Sequence, residues 1–112
     1  NLLSNVTEVL ESTDKKVALK YSLFERDALI FKTLKSSSIT IIEDDKPLLA
    51  VHYDNFPHMG IWTMQKAPFL CIEPWYGYSD TNETTGKIVD KDGIQTIVAA
   101  DTFATVYSIE IL

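Results

Sequence analysis

Short runs in which apolar and polar residues alternate, separated by turn-forming residues, constrain this chain more than any other feature. The clearest run is the last ten residues, FATVYSIEIL, in which Tyr107, Ile109 and Ile111 fall on one face of an extended strand. No long stretch shows the 3.6-residue period of an amphipathic helix. The pattern therefore predicts an all-β chain.

About eight antiparallel strands, joined by hairpins and meanders, account for these runs. Turn residues separate them, as in EDDKP at 43–47 and YDNFP at 53–57, where Asp, Asn and Pro favour tight turns. The predicted strands are residues 17–20, 28–34, 38–43, 48–52, 60–64, 69–74, 95–98 and 103–112.

Length and charge bound the class of protein. The 112 residues fit one domain or part of one, and 46% hydrophobic with 23% charged residues is a globular composition. No apolar run approaches the roughly 20 residues of a membrane span. The net charge of −6, with scattered Lys and Arg, disfavours a phosphate backbone as partner. We predict a soluble, cytoplasmic protein that binds neither membrane nor nucleic acid.

Several kinds of site are excluded by what the chain lacks. Cys71 is the only cysteine, so no internal disulfide forms, and His52 and His58 are too far apart for a two-histidine metal pair on one helical turn. No glycine-rich phosphate loop and no Gly-x-Ser-x-Gly elbow occurs. We therefore predict no metal site.

The segment PFLCIEPWYG, residues 68–77, places a single carboxylate after a nearly continuous apolar run. Because Pro74 cannot donate a ladder hydrogen bond, we predict that the strand finishes at Glu73 and Pro74. A carboxylate there is either solvated at the sheet rim or held in a partly dry pocket as a general base. The rings of Trp75, Tyr76 and Tyr78 would suit a sugar, or they form an aromatic core.

Asp27 is a second candidate, because it stands immediately before a strongly apolar strand and is thus, like Glu73, expected at a strand mouth. The alternatives are a turn-forming Asx residue or an ion-pair partner of Arg26. The polar loop YGYSDTNETTGK, residues 76–87, is the longest segment without strand character and would border a cleft. Asn1 stands where an initiator methionine is expected, and a β-sheet with open edges normally has a covering partner. We therefore expect a missing partner segment.

Four stretches together resemble the C-terminal portion of the aldose 1-epimerase, or galactose mutarotase-like, family. They are YSLFERDALIF at 21–31, DNFPHMGIWT at 54–63, APFLCIEPWYGYSD at 67–80 and KDGIQTI at 91–97. The resemblance implies an antiparallel β-sandwich, the galactose mutarotase-like supersandwich. It also implies that residues 1–112 are the C-terminal part of one such domain, whose N-terminal part is the missing partner.

The resemblance also implies roles for particular residues. Glu73 matches the family's general base, and Asp27 matches the carboxylate that binds sugar hydroxyls. Trp62 and Trp75 are expected to line the site. The family's histidine acid would lie outside this chain, because neither His52 nor His58 matches it.

Together these roles predict an isomerase that interconverts the α and β anomers of an aldohexose or its phosphate without a cofactor. The chain alone is then expected to be nearly inactive, since acid-base catalysis needs both proton-transfer groups. One alternative is a carbohydrate-binding domain that holds a sugar without turnover. Another is a structural β-domain whose Glu73 is merely solvated.

Overall fold

The structure is a computed structural model that describes residues 2–112. The described residues form six β-strands and two short 3₁₀ helices, Tyr21–Phe24 and Ile88–Asp90, so the all-β prediction is confirmed. The strands are β1 (Leu29–Phe31), β2 (Ser38–Glu43), β3 (Lys46–His52), β4 (His58–Trp62), β5 (Cys71–Trp75) and β6 (Ser108–Ile111).

The strands form two three-stranded sheets, and every pairing within them is antiparallel. The first sheet has the order β1-β4-β5, and the second has the order β2-β3-β6. A two-residue turn of Asp44 and Asp45 joins β2 to β3, with φ values of 49° and 59°. Two consecutive positive φ angles are the signature of a type I′ hairpin, whose twist matches that of the flanking strands.

Both sheets contribute side chains to one apolar core. Its buried members are Met59 and Ile61 from β4, Val51 from β3, Tyr53 just after β3, and Phe24 from the first 3₁₀ helix. Half-buried residues of both sheets pack around them, namely Leu29, Phe31, Ile39, Leu49 and Ile72. A core shared by two antiparallel sheets is consistent with a β-sandwich.

Two predicted strands are wrong, because residues 17–20 and 95–98 have no strand pairing in the structure. Their side chains suit a strand, but strand structure also needs a neighbour that supplies ladder hydrogen bonds. The prediction for residues 38–43 is confirmed as β2. Among the described residues, no helix has the length and hydrophobicity needed to span a membrane.

The predicted strand at residues 103–112 is only partly confirmed, since the ladder covers Ser108–Ile111. β6 pairs with β3 along one edge, and all four of its residues are exposed. Ile109 and Ile111, which the alternation assigned to an apolar face, are 59% and 79% exposed. The described residues therefore leave most of the apolar side of this strand exposed.

Candidate functional site

The first sheet has one face on the core and one face away from it. Met59, Ile61 and Ile72 point into the core, so the residues between them along β4 and β5 point the other way. Directly opposed residues on two antiparallel strands share a face, so the residues of β4 and β5 that point away from the core lie on the same face of the sheet. We call this set the site face; it comprises His58, Gly60 and Trp62 on β4 and Cys71, Glu73 and Trp75 on β5.

Glu73 lies at the centre of the site face, directly opposite Gly60, and is half-buried. The prediction that its strand finishes at Glu73 and Pro74 is wrong, because β5 continues through Pro74 to Trp75. The physical reason is that β5 is an edge strand, where a residue without an N–H leaves no ladder bond unmade. The carboxylate thus stands in the middle of a sheet face rather than at a strand mouth.

Trp75 lies beside Glu73 because its indole ring crosses over Gly60. A Cβ atom built on Gly60 would be 2.4 Å from Cζ2 and 2.6 Å from Cη2 of that indole. The glycine therefore leaves the space that the ring occupies. An aromatic surface of the kind that stacks on a pyranose therefore lies over the residue directly opposite Glu73.

Trp62 and Cys71 are directly opposed on the other side of Glu73. Trp62 is half-buried and packs at a tilt against Phe69, with 5.8 Å between ring centroids. Burial raises the pKa of the Cys71 thiol, and the Glu73 carboxylate raises it further through its charge and as a hydrogen-bond acceptor. The structure thus places Glu73, Trp62 and Trp75, three of the four predicted site residues, on one face.

Asp27, the fourth predicted site residue, is exposed and lies outside the site face, before β1. Because Ile30 is in register with Gly60 and Glu73, three residues and two strands separate the backbone positions of Asp27 and Glu73, roughly 14 Å at the usual spacings. Its Oδ1 accepts a hydrogen bond from the N–H of Ala28 at 2.8 Å.

The backbone of Asp27 has a φ of 111°, which is rare for a residue with a side chain. That hydrogen bond joins adjacent residues, whereas an Asx turn uses the N–H two residues on, so it does not confirm the Asx alternative for Asp27. Arg26 is not its partner, because that guanidinium pairs with Glu8. Asp27 as a sugar ligand stays a prediction.

The two histidines lie in different sheets. His52 on β3 approaches Glu110 on β6, with 3.0 Å between Nε2 and Oε2. His58 is on the site face, where its Nδ1 lies 2.8 Å from the carbonyl oxygen of Lys32 and its ring meets the Tyr78 ring edge to face at 4.9 Å. The contacts with Lys32 and Tyr78 therefore hold the His58 ring in place.

Sequence reasoning did not place His58 or Gly60 beside Glu73. The signal was available in the alternation of β4, because His58, Gly60 and Trp62 are two residues apart. What could not be read from the alternation was the register, which sets Gly60 opposite Glu73.

The loop that follows Glu73 is anchored by close backbone packing. Gly77 and Gly93 have φ values of 84° and 73°, and a Cβ on Gly93 would lie 2.6 Å from the Cα of Gly77. Tyr76 packs against the Phe56 and Phe103 rings at 5.1 and 5.0 Å, so it is held by structural contacts. An open groove of about 340 Å³ is lined by residues 74–79, which follow Glu73 in the chain.

Comparison with known proteins adds two relatives. No family model matches the chain, and no solved structure matches it. Two curated proteins of Lactococcus lactis subsp. lactis are similar, the plasmid and chromosomal forms of Protein LacX, each 37% identical over 112 residues. The alignment covers 98% of this chain and 37% of each relative. The chain therefore spans little more than a third of the length of the curated relatives it matches.

Proposed function

We propose that this chain is part of a sugar isomerase of the aldose 1-epimerase type, acting on an aldohexose or a hexose phosphate. The observation that carries the proposal is the half-buried carboxylate of Glu73 at the centre of the site face, with Trp75 across Gly60 on one side and Trp62 on the other. A carboxylate between aromatic surfaces can accept a hydroxyl proton while the rings contact the C–H faces of a sugar. The similarity to Protein LacX adds that the chain is related to two longer bacterial proteins.

The reaction needs a base and an acid but no redox partner. Glu73 removes the proton from the C1 hydroxyl, the bond between C1 and the ring oxygen breaks, and an acid protonates that oxygen. Rotation about C1–C2 and the reverse proton transfers close the ring with the other configuration at C1. Atoms and electrons balance within the sugar, so no cofactor is consumed.

The acid in this proposal comes from outside the described residues. His52 lies in the second sheet, and His58 is held by Lys32 and Tyr78. The relatives are longer than this chain, and β5 and β6 have open edges here. We place the acid on the remaining length of such a protein, which would pack against these edges and the exposed apolar residues of β6.

The direct test uses polarimetry of freshly dissolved α-D-glucose and α-D-galactose with the full-length protein. Glu73→Gln keeps the shape of the side chain but removes the base, so kcat should fall by about 10²-fold or more. Glu43→Gln is the matched control, because Glu43 is exposed at the end of β2 in the second sheet. Full activity in the Glu73→Gln variant would reject the assignment.

Sugar binding without turnover is the second candidate function. The observation in its favour is that the described residues provide a carboxylate and aromatic walls, while the histidine on the site face, His58, has its Nδ1 at the carbonyl oxygen of Lys32 and its ring against Tyr78. In that case the full-length protein would bind the hexose in calorimetry and leave its rate of mutarotation unchanged.

A further inference from the structure

Gly60 is buried at the centre of the site face, yet its backbone does not require glycine. Three glycines of the chain, Gly77, Gly86 and Gly93, have a positive φ, whereas Gly60 lies within the ordinary β4 ladder. Alanine would fit its backbone conformation without strain. The reason for glycine at this position is therefore the space above it.

That space is filled by the six-membered ring of the Trp75 indole. Cζ2, Cη2 and Cε2 would lie 2.4, 2.6 and 3.0 Å from a Cβ on Gly60, which is closer than atoms pack. Glu73 is the direct cross-strand neighbour of Gly60, so their Cβ positions would be about 5 Å apart. The indole edge therefore lies over the position directly across the strands from Glu73.

We infer that Gly60 is a positioning residue: its missing side chain lets the Trp75 indole lie over β4 and so holds the aromatic wall beside Glu73. This inference rests on the proposed function, because the wall serves the reaction only if Glu73 is the base. The seated ring excludes water from one side of the carboxylate and presents its face to the sugar. A side chain at position 60 would push the ring outward and leave that side open.

A double-mutant cycle in the full-length protein tests the inference. The variants are Gly60→Ala, Trp75→Phe and the two combined. Phenylalanine lacks the part of the indole that lies over Gly60, so the added methyl group has room in the Trp75→Phe background. Thr40→Ala, at an exposed position of β2 in the second sheet, controls for a small change on a strand surface.

Gly60→Ala alone should lower kcat/KM for mutarotation at least tenfold, with kcat affected as well as KM. In the Trp75→Phe background the same change should alter kcat/KM less than twofold, because the clash is gone. Thr40→Ala should leave both constants unchanged. Equal losses from Gly60→Ala in the two backgrounds would overturn the inference.

Tryptophan fluorescence separates this inference from the proposed function. Gly60→Ala should shift the tryptophan emission in the presence of Trp75, and it should leave the remaining tryptophan emission unchanged in the Trp75→Phe background. A wild-type protein that does not accelerate mutarotation would refute the proposed function, and the positioning role with it. The positioning role alone would be refuted if the wild type is active, the effects of the two substitutions on kcat/KM add, and Gly60→Ala does not shift the tryptophan emission.

Discussion

Replacing Gly93 with alanine should destabilise the protein far more than the same replacement at Gly86. Both glycines have positive φ values, 73° and 75°, so alanine adds a similar backbone penalty of about 1–2 kcal/mol at each. At Gly86 the new methyl group meets nothing within 4 Å. At Gly93 it would lie 2.6 Å from the Cα and 2.8 Å from the nitrogen of Gly77, which are backbone atoms that cannot rotate away.

Overpacking of this kind costs about 1–3 kcal/mol more, so Gly93→Ala should lower the free energy of unfolding by about 2–5 kcal/mol in total. Urea unfolding of the full-length protein, followed by tryptophan fluorescence, measures both variants against the wild type. Because Gly77 and Trp75 both line the groove of residues 74–79, the Gly93 variant should also disturb that groove. Equal losses of stability at Gly93 and Gly86 would refute the packing argument.

Two further predictions concern the core and the site face. Met59 is 1% exposed, so Met59→Ala should lower the free energy of unfolding by about 2–5 kcal/mol. Met64 is 54% exposed, so Met64→Ala should change it by less than about 0.5 kcal/mol. Urea unfolding curves that do not separate the two variants would contradict the assigned core. The raised pKa of Cys71 means that less of its thiol is ionised at a given pH, so alkylation by iodoacetamide should be slower than for a free thiol and should rise only at higher pH. Glu73→Gln removes a neighbouring charge that raises this pKa and should therefore speed the alkylation at fixed pH, and an unchanged rate would show that the two side chains do not interact.

The local sequence pattern predicted the fold class because the alternation of apolar and polar side chains indicates strand character. Residues 38–43 carry it so clearly that β2 has the expected bounds. Residues 17–20 and 95–98 carry it too, but no described neighbour supplies a ladder for them. Strand propensity is thus visible in the sequence, and strand pairing is not.

The candidate site also has features that the sequence predicted and features that depend on strand pairing. Glu73 stood out because a single carboxylate interrupts an apolar run, and the structure places it on a face with Trp62 and Trp75. The effect of Pro74 was misjudged, since proline ends a central strand but is tolerated at the edge that β5 occupies. The place of Gly60 follows from the register of β4 against β5, which no local pattern determines.

The central claim is that Glu73 is the base of a site that exchanges sugar anomers. Magnetisation exchange between the α and β anomeric protons, measured by NMR at equilibrium, observes that reaction directly in the full-length protein, with glucose, galactose and glucose 6-phosphate as separate substrates. The account predicts exchange above the uncatalysed rate for at least one sugar, lost in Glu73→Gln and kept in Glu43→Gln. Exchange that survives in Glu73→Gln, or no exchange in the wild type with any of the three sugars, would contradict it.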